Sequence, residues 1–537
     1  MRNLLGIVSV VALAACGGSP APPPPPAASE PVAGGAVVIG ALTDVQSWNP
    51  YLAESLFADQ VLEQIYPRLM IEQPDYREHP PTFAPSLARS WELSAGGLEL
   101  TLRLEPQAAW SDGVPVTADD VVFSHRVASS PDVGWLGADS KEHVIAVEAV
   151  DPKTVRVRFS RVYPYQLMDA NAGPIVPAHA WEEIPFDRWR SVDWQERMLS
   201  AGPFRLASHT PQQEIVLERN PTYWRDPLPR LDRVVWRIVP SKAGLLNLLL
   251  AGDLDLHPSV PPGDADRVAA DPELELREVP SRTYSFLLWN LRRPMLDEAG
   301  ERRALTLAID RGAIVEAVYG GHAGTAVGPV LTGMWAFNQE LTPLPHDPGR
   351  ARELLDDAGW RDTDGDGIRE RNGVRFEVEL LAPSENELRH DIAVLVEQDL
   401  ARVGVDAEPR FVEWGTLLSR LDAGDFDAAV HAWSEPTQID LDGVWHSAGP
   451  DDPTFNWGGY ADPEVDRLLE QAAEEPDPAV QKPLYDRVQE IVVADQPYTF
   501  LAESLRLVGV HRRVRGADIN DATPYYNLEQ WWVSGER

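Results

Sequence analysis

Carboxylates alternate with small residues at Asp362-Thr363-Asp364-Gly365-Asp366-Gly367, a spacing that could surround a hard cation such as calcium with oxygen ligands. An EF-hand loop needs a bidentate glutamate at its twelfth position, and that position is Gly373. The flanking pattern is a helix followed by a strand, so a solvated Asp-Gly turn is expected, with calcium held by Asp362, Asp364 and Asp366 as the alternative. Cys16 is the single cysteine among 537 residues, which excludes an internal disulfide and a cysteine cluster for zinc. His257 and His446 lie on different segments and do not by themselves make a metal site. Enzymatic chemistry is unannounced: the chain has no G-x-S-x-G nucleophile elbow, no H-E-x-x-H and no G-x-x-x-x-G-K-S/T phosphate loop. No cofactor is expected. Tryptophan is abundant, at 18 residues, and an indole offers a large apolar face that stacks on planar or cationic groups.

Charge narrows the partners. With 47 Lys plus Arg against 84 Asp plus Glu, the formal charge is −37. That excess disfavours nucleic acid and anionic membrane surfaces, both of which attract basic patches. A cationic or zwitterionic solute is compatible with it, and so is plain solubility. At the amino terminus, Arg2 precedes an apolar stretch over residues 4–15. A bilayer span needs about 20 apolar residues, so residues 1–15 read as a signal peptide. The stretch ends in Leu13-Ala14-Ala15-Cys16-Gly17, which resembles a bacterial lipoprotein cleavage site. The resemblance implies cleavage before Cys16 and lipidation of its thiol. Residues 16–35, rich in Pro, Ala, Gly and Ser, cannot bury a core and are expected to be a tether, so that the membrane is met through lipid alone.

The remaining body exceeds what one core usually supports, so two or three domains are expected. Strands are expected at 37–41 (VVIGA), 98–104, 155–159, 214–217, 234–238, 284–290 (YSFLLWN), 376–381 and 427–432, with a last strand pair near 498–510. Helical spacing marks 53–70, 245–251, 302–319, 348–358, 390–403, 462–473 and 478–494. Thr117 is a candidate N-cap with Asp120 in the capping-box position. Strands and helices alternate without an internal repeat, which points to α/β domains.

One series of motifs goes further. Trp110-Ser111-Asp112-Gly113 leads to Asp119-Asp120-Val121, and Gly202-Pro203-Phe204 to Asn220-Pro221-Thr222-Tyr223-Trp224. Asn290, Arg303-Ala304-Leu305, Ala308-Ile309-Asp310, ARELLDDAGW at 351–360, Gly424-Asp425-Phe426-Asp427 and residues 456–469 follow in order. This series resembles the solute-binding proteins of peptide and nickel ABC importers, of the oligopeptide- and dipeptide-binding type, over nearly all of residues 37–535. The resemblance implies an α/β, two-lobed periplasmic-binding-protein fold with a hinge and an extra domain inserted in lobe I. Lobe I would comprise 36–69, 194–283 and 504–537, the insert 70–193, and lobe II 284–503. A small solute, by default a peptide, would close the lobes around itself and pass to importer membrane subunits, the receptor acting as a monomer.

The same alignment places Glu54 at a lobe I carboxylate lining the cleft, and Trp414 and Trp433 at two tryptophans walling side-chain pockets. Trp48, Phe286 and Trp445 are further cleft candidates, with Trp135, His257, Thr283, His446 and Trp457, for each of which packing or a surface position is the competing reading. One departure matters. The relatives carry an aspartate shortly after the tryptophan aligned with Trp433, and it pairs with a peptide ammonium. Here Trp433 runs into Ser434-Glu435-Pro436, leaving Glu54, Glu435, Asp440 or Asp442 to substitute, or a ligand without an ammonium. An oligosaccharide receptor of the same family is the alternative ligand class, and a lipid-anchored exported hydrolase the alternative function.

Overall fold

The computed structural model describes residues 30–447 and 454–535. Cys16, the signal segment and most of the tether lie outside the described residues.

Eleven strands form one sheet, and two of them run through its middle. Leu274–Trp289 and Tyr498–His511 pair antiparallel over most of their length. Their pairing is continuous from Leu274↔His511 to Pro280↔Leu505, breaks, and resumes at Tyr284↔Glu503. Such a break adds residues on one strand and bends it. Beyond one end of the break lie Leu256–His257, Ala36–Ala41, Arg233–Ile238, Glu214–Arg219 and Phe204–Thr210; beyond the other lie Ala428–Ser434, Glu377–Pro383 and Asp406–Val412. Each half contains a parallel pair, 36–41 with 233–238 and 377–383 with 406–412. Parallel strands need long crossovers and helices on both faces, which is why 36–41 is an unbroken apolar run.

Residues 88–159 build a separate four-stranded antiparallel sheet, Ala88–Leu93, Glu99–Leu104, Thr154–Phe159 and Val144–Asp151 in spatial order. The strands at 99–104 and 154–159 alternate buried and less buried side chains, as expected for a sheet with one covered face. The helix Ala118–Ala128 begins as its sequence suggests: the Asp120 carboxylate accepts the Thr117 N–H at 2.7 Å and the Ala178 N–H at 2.8 Å. Trp181, Trp189 and Trp194 stack in one buried cluster with centroids 4.5–5.9 Å apart.

Three expectations on elements need correction. The helix expected over 53–70 is only Leu56–Leu62, capped by Ser55, and the chain then turns ahead of Pro67. The helix expected over 302–319 is two, Ala299–Ala308 and Arg311–Tyr319; the Asp310 side chain accepts from Ala313 N at 2.9 Å and starts a new helix instead of continuing the old one. The strand pair expected near 498–510 is one long strand.

Candidate functional site

A cavity of about 590 Å³ opens where the two halves of the large sheet meet. Asp59, Glu63 and Arg68 reach it from the first helix and the turn after it, Glu72 and Tyr76 from the segment that follows, and Tyr525 and Glu529 from the carboxy-terminal region. Arg282 enters from the break in the central strand, and Pro436–Gln438 close it from the other half. Gly202 also lines it, and its lack of a side chain is required: a Cβ there would lie 2.5 Å from the Gln64 carbonyl oxygen.

The charges in the cavity are unequally committed. Arg68 donates from Nε and Nη2 to one Glu63 oxygen at 2.9 and 2.8 Å. Arg225 lies 3.9 Å from Glu529. The Asp59 carboxylate accepts no hydrogen bond among the described residues, and burial, reinforced by Glu63, pushes it up to about 6. Arg282 packs 6.0 Å over the Tyr76 ring, and its Nε is buried without a partner.

Contacts bridge the two sides. Glu72 accepts from the Thr437 hydroxyl, Tyr165 donates to the Ile439 carbonyl at 2.8 Å, and Trp335 N donates to Tyr76 O at 2.9 Å. Outside the cavity lining, the half of the sheet that carries Pro436–Gln438 holds an aromatic cluster, and none of Glu54, Trp48, Trp414, Trp433, Phe286 and Trp445 lines the cavity itself. His431 and Trp433, two apart on one strand, share a face, and Phe286 lies opposite His431 on the neighbouring strand. Trp433 stacks on Trp457 at 5.4 Å and 18°, and on Phe286 at 5.9 Å and 27°, while Phe455 meets it edge-on at 5.5 Å. Trp414 packs 5.3 Å from His431 and carries the Arg389 guanidinium 5.3 Å over its ring. Burial, then Arg389, pushes the His431 imidazole down to about 3, so it is neutral in this apolar setting.

Two lobes on a shared pair of strands, with a cavity between them, match one known group. Residues 82–453 fit the model of bacterial extracellular solute-binding proteins, family 5. The chain belongs to that family. It is 27% identical to the oligopeptide-binding protein AppA of Bacillus subtilis, across 99% of this chain and 98% of AppA. It is also 27% identical to heme-binding protein A of Haemophilus influenzae, across 84% of each. The solved structure of AppA in complex with a nonapeptide superposes with a TM-score of 0.76 at 26% identity, covering 94% of this chain and all of that one. These relatives are binding proteins by name. Among the described residues no helix is long and apolar enough to cross a membrane.

Within this family 5 receptor the residues singled out from the sequence take distinct places. Trp414 and Trp433 come together in the cluster; Trp414 is 38% exposed and Trp433 half-buried. Phe286 and Trp445 stand behind it in the core, both against Tyr498, at 4.2 and 4.6 Å. Trp457 completes the cluster and donates to Asp422 at 2.8 Å. Glu54 is exposed on the other lobe, 3.9 Å from Arg190. Trp48 is buried there, edge-on to His209 at 5.1 Å, and Trp135 lies edge-on to Tyr51. His257 is buried, its Nε2 3.2 Å from the Lys242 carbonyl; Thr283 bonds Ser434 at 2.9 Å; His446 lies 3.6 Å from Glu470. In the Asp-Gly loop, Asp362 and Asp364 cluster with Glu370, while Asp366 pairs with Arg375 instead. Their oxygens accept from the loop itself, Asp362 from Gly365 N at 2.6 Å and Gly367 N at 3.0 Å, as in an Asp-Gly turn. Asp59, Glu72 and Arg282 were not singled out. Their signal is weak, since charged residues beside a helix turn or a strand break resemble any solvated face.

Glu435, beside the missing aspartate, donates its backbone N–H to Arg282 O at 2.8 Å. Burial first, then Asp440, pushes its carboxyl from 4.5 up to about 7, with Arg282 opposing. A carboxyl raised on folding holds its proton more tightly in the folded protein. The stability from neutral Glu435 is complete below pH 4.5 and is lost as pH rises through about 7. Glu435→Gln is expected to remove that loss. Denaturant titrations across this range should show wild type falling relative to the variant as pH rises, and parallel curves would contradict the shift.

Proposed function

We propose that this chain captures a peptide between its two lobes and delivers it, uncleaved, to the membrane subunits of an ABC importer. The carrying observation is the cavity of about 590 Å³ at the break between the two halves of the sheet, lined mainly by residues of one half and of 70–193 and closed from the other half by Pro436, Thr437 and Gln438. A solute there touches both sides only when they close, so it stabilises the closed form. The cavity volume lies in the range of small-molecule sites, and AppA, alike over its full length, is solved with a nonapeptide. The break between Pro280 and Tyr284 supports lobe I as 36–69, 194–283 and 504–537, lobe II as 284–503, and the insert as 70–193. Trp414 and Trp433 are the faces offered to an apolar ligand side chain, backed by Phe286 and Trp445, with Glu54 and Trp48 supplied by lobe I. The protein performs no turnover, acts as a monomer, and is held to its membrane by lipid on Cys16.

Small-angle scattering with and without a mixture of tri- to nonapeptides tests closure. Peptide should reduce the radius of gyration and raise the melting temperature, since binding only the native state adds about 2.7 kcal/mol at a hundredfold excess over Kd. Binding without compaction would overturn the hinged reading.

A further inference from the structure

Arg282 stands at the break in the central strand with φ +50, in the left-handed region that disfavours residues with a side chain. Its carbonyl is held by Glu435 N from the opposite lobe, and the residue lines the cavity, with Arg506 behind the lining. Arg506 lies beside it on the neighbouring hinge strand, where it pairs with Val279 in the last continuous stretch before the break. Each arginine has a buried N–H without an acceptor, Nε on Arg282 and one Nη on Arg506. Neither has a carboxylate oxygen within 4.0 Å among the described residues. Glu72 and Glu435 act on Arg282 through space only, and Glu72 is already engaged by Thr437. Two like charges on adjacent strands, with donors withdrawn from water, are costly unless an anion completes them.

We propose that Arg282 and Arg506 form a carboxylate site at the hinge, which receives the anionic group of the captured solute. The planar guanidinium fork matches a carboxylate in geometry and charge. A group bound there touches the strands that both lobes share, so the site couples anion capture to hinge position. The left-handed backbone of Arg282 falls where the residue lines the cavity, over the Tyr76 ring that lines it too. The carboxylate is either a peptide's terminus or an acidic side chain. The location of the solute rests on the receptor reading above, while the anion site itself does not.

Isothermal titration with tetraalanine, its carboxy-terminal amide and Ala-Ala-Glu-Ala amide tests it. Wild type should bind the free acid about tenfold or more tightly than the amide, the ratio expected from one charge-assisted contact. Arg282→Met and Arg506→Met should each bring the ratio within about twofold, and having both keeps the test alive if one fails to fold. Recovery of affinity by Ala-Ala-Glu-Ala amide assigns the site to side-chain carboxylates; no recovery assigns it to the terminus. Equal binding of acid and amide by wild type, or a ratio retained in both variants, overturns the hinge site and leaves the peptide receptor standing. If tetraalanine does not bind, acetate becomes the probe. A saturable rise in melting temperature over chloride at equal ionic strength, lost in both variants, upholds the hinge site while the peptide reading fails. No difference between acetate and chloride overturns the site.

Discussion

Replacing Trp433 by alanine is expected to destabilise lobe II by about 3 kcal/mol, the lower end for removing a large aromatic from a packed site because this indole is half-buried. The loss arises from four ring contacts at once, with Trp457, Phe286, Phe455 and His431, at 5.2–5.9 Å. If Trp433 is a ligand face, as proposed above, affinity for a peptide bearing an aromatic side chain should also fall about three- to tenfold. Trp433→Phe keeps a ring in the stack and should recover most of the stability. Denaturant unfolding and calorimetric titration of both variants separate the two effects. A Trp433→Ala protein that is destabilised but binds as tightly as wild type would place this residue in the core alone.

Arg513→Ala is expected to be about as damaging, by about 3 kcal/mol, because it removes the guanidinium that both oxygens of a buried carboxylate accept from. Arg513 donates from Nε and Nη2 to both oxygens of Asp255 at 2.6 Å, and from Nη2 to the Ala36 carbonyl at 3.1 Å. Asp255, with a side chain 1% exposed, also accepts from Val38 N at 2.7 Å. The pair therefore ties the carboxy-terminal segment to the strand Ala36–Ala41. Removing both charges, as Asp255→Leu with Arg513→Met, should recover much of the loss, since an apolar pair avoids the desolvation cost. Melting curves resolve this as an early transition of one lobe. A double variant no more stable than Arg513→Ala would show that the site needs the charges themselves.

The sequence reveals those parts whose chemistry repeats along the chain. Strands 99–104 and 154–159 alternate because one face is covered, and 36–41 is continuously apolar because both are. Trp433 is legible only through the resemblance to the family, which aligns it with a cleft tryptophan; His431, two residues earlier on the same strand, is not legible from the sequence. Nor are the hinge strands. Only the end of Leu274–Trp289 is strongly apolar; its first part, LELREVPSRT, is mostly half-buried on both faces and carries no clear period. Ser504 and Arg506 likewise interrupt the apolar run of 498–511 where it crosses between lobes, so one strand resembles two. Arg282 falls in the gap between two readable stretches, and only tertiary pairing brings it beside Arg506. Asp310 hides in a continuous helical pattern because a capping aspartate and a surface aspartate look alike in sequence. The missing aspartate after Trp433 was legible, and it directs attention to Glu435, whose backbone joins the Arg282 turn.

Native mass spectrometry of the protein after incubation with a defined mixture of di- to nonapeptides tests the central claim most directly. The account predicts one-to-one complexes in which each retained peptide has its full, uncleaved mass. A spectrum showing only unliganded protein, or complexes and solution containing shortened peptides, would contradict a peptide-capturing receptor.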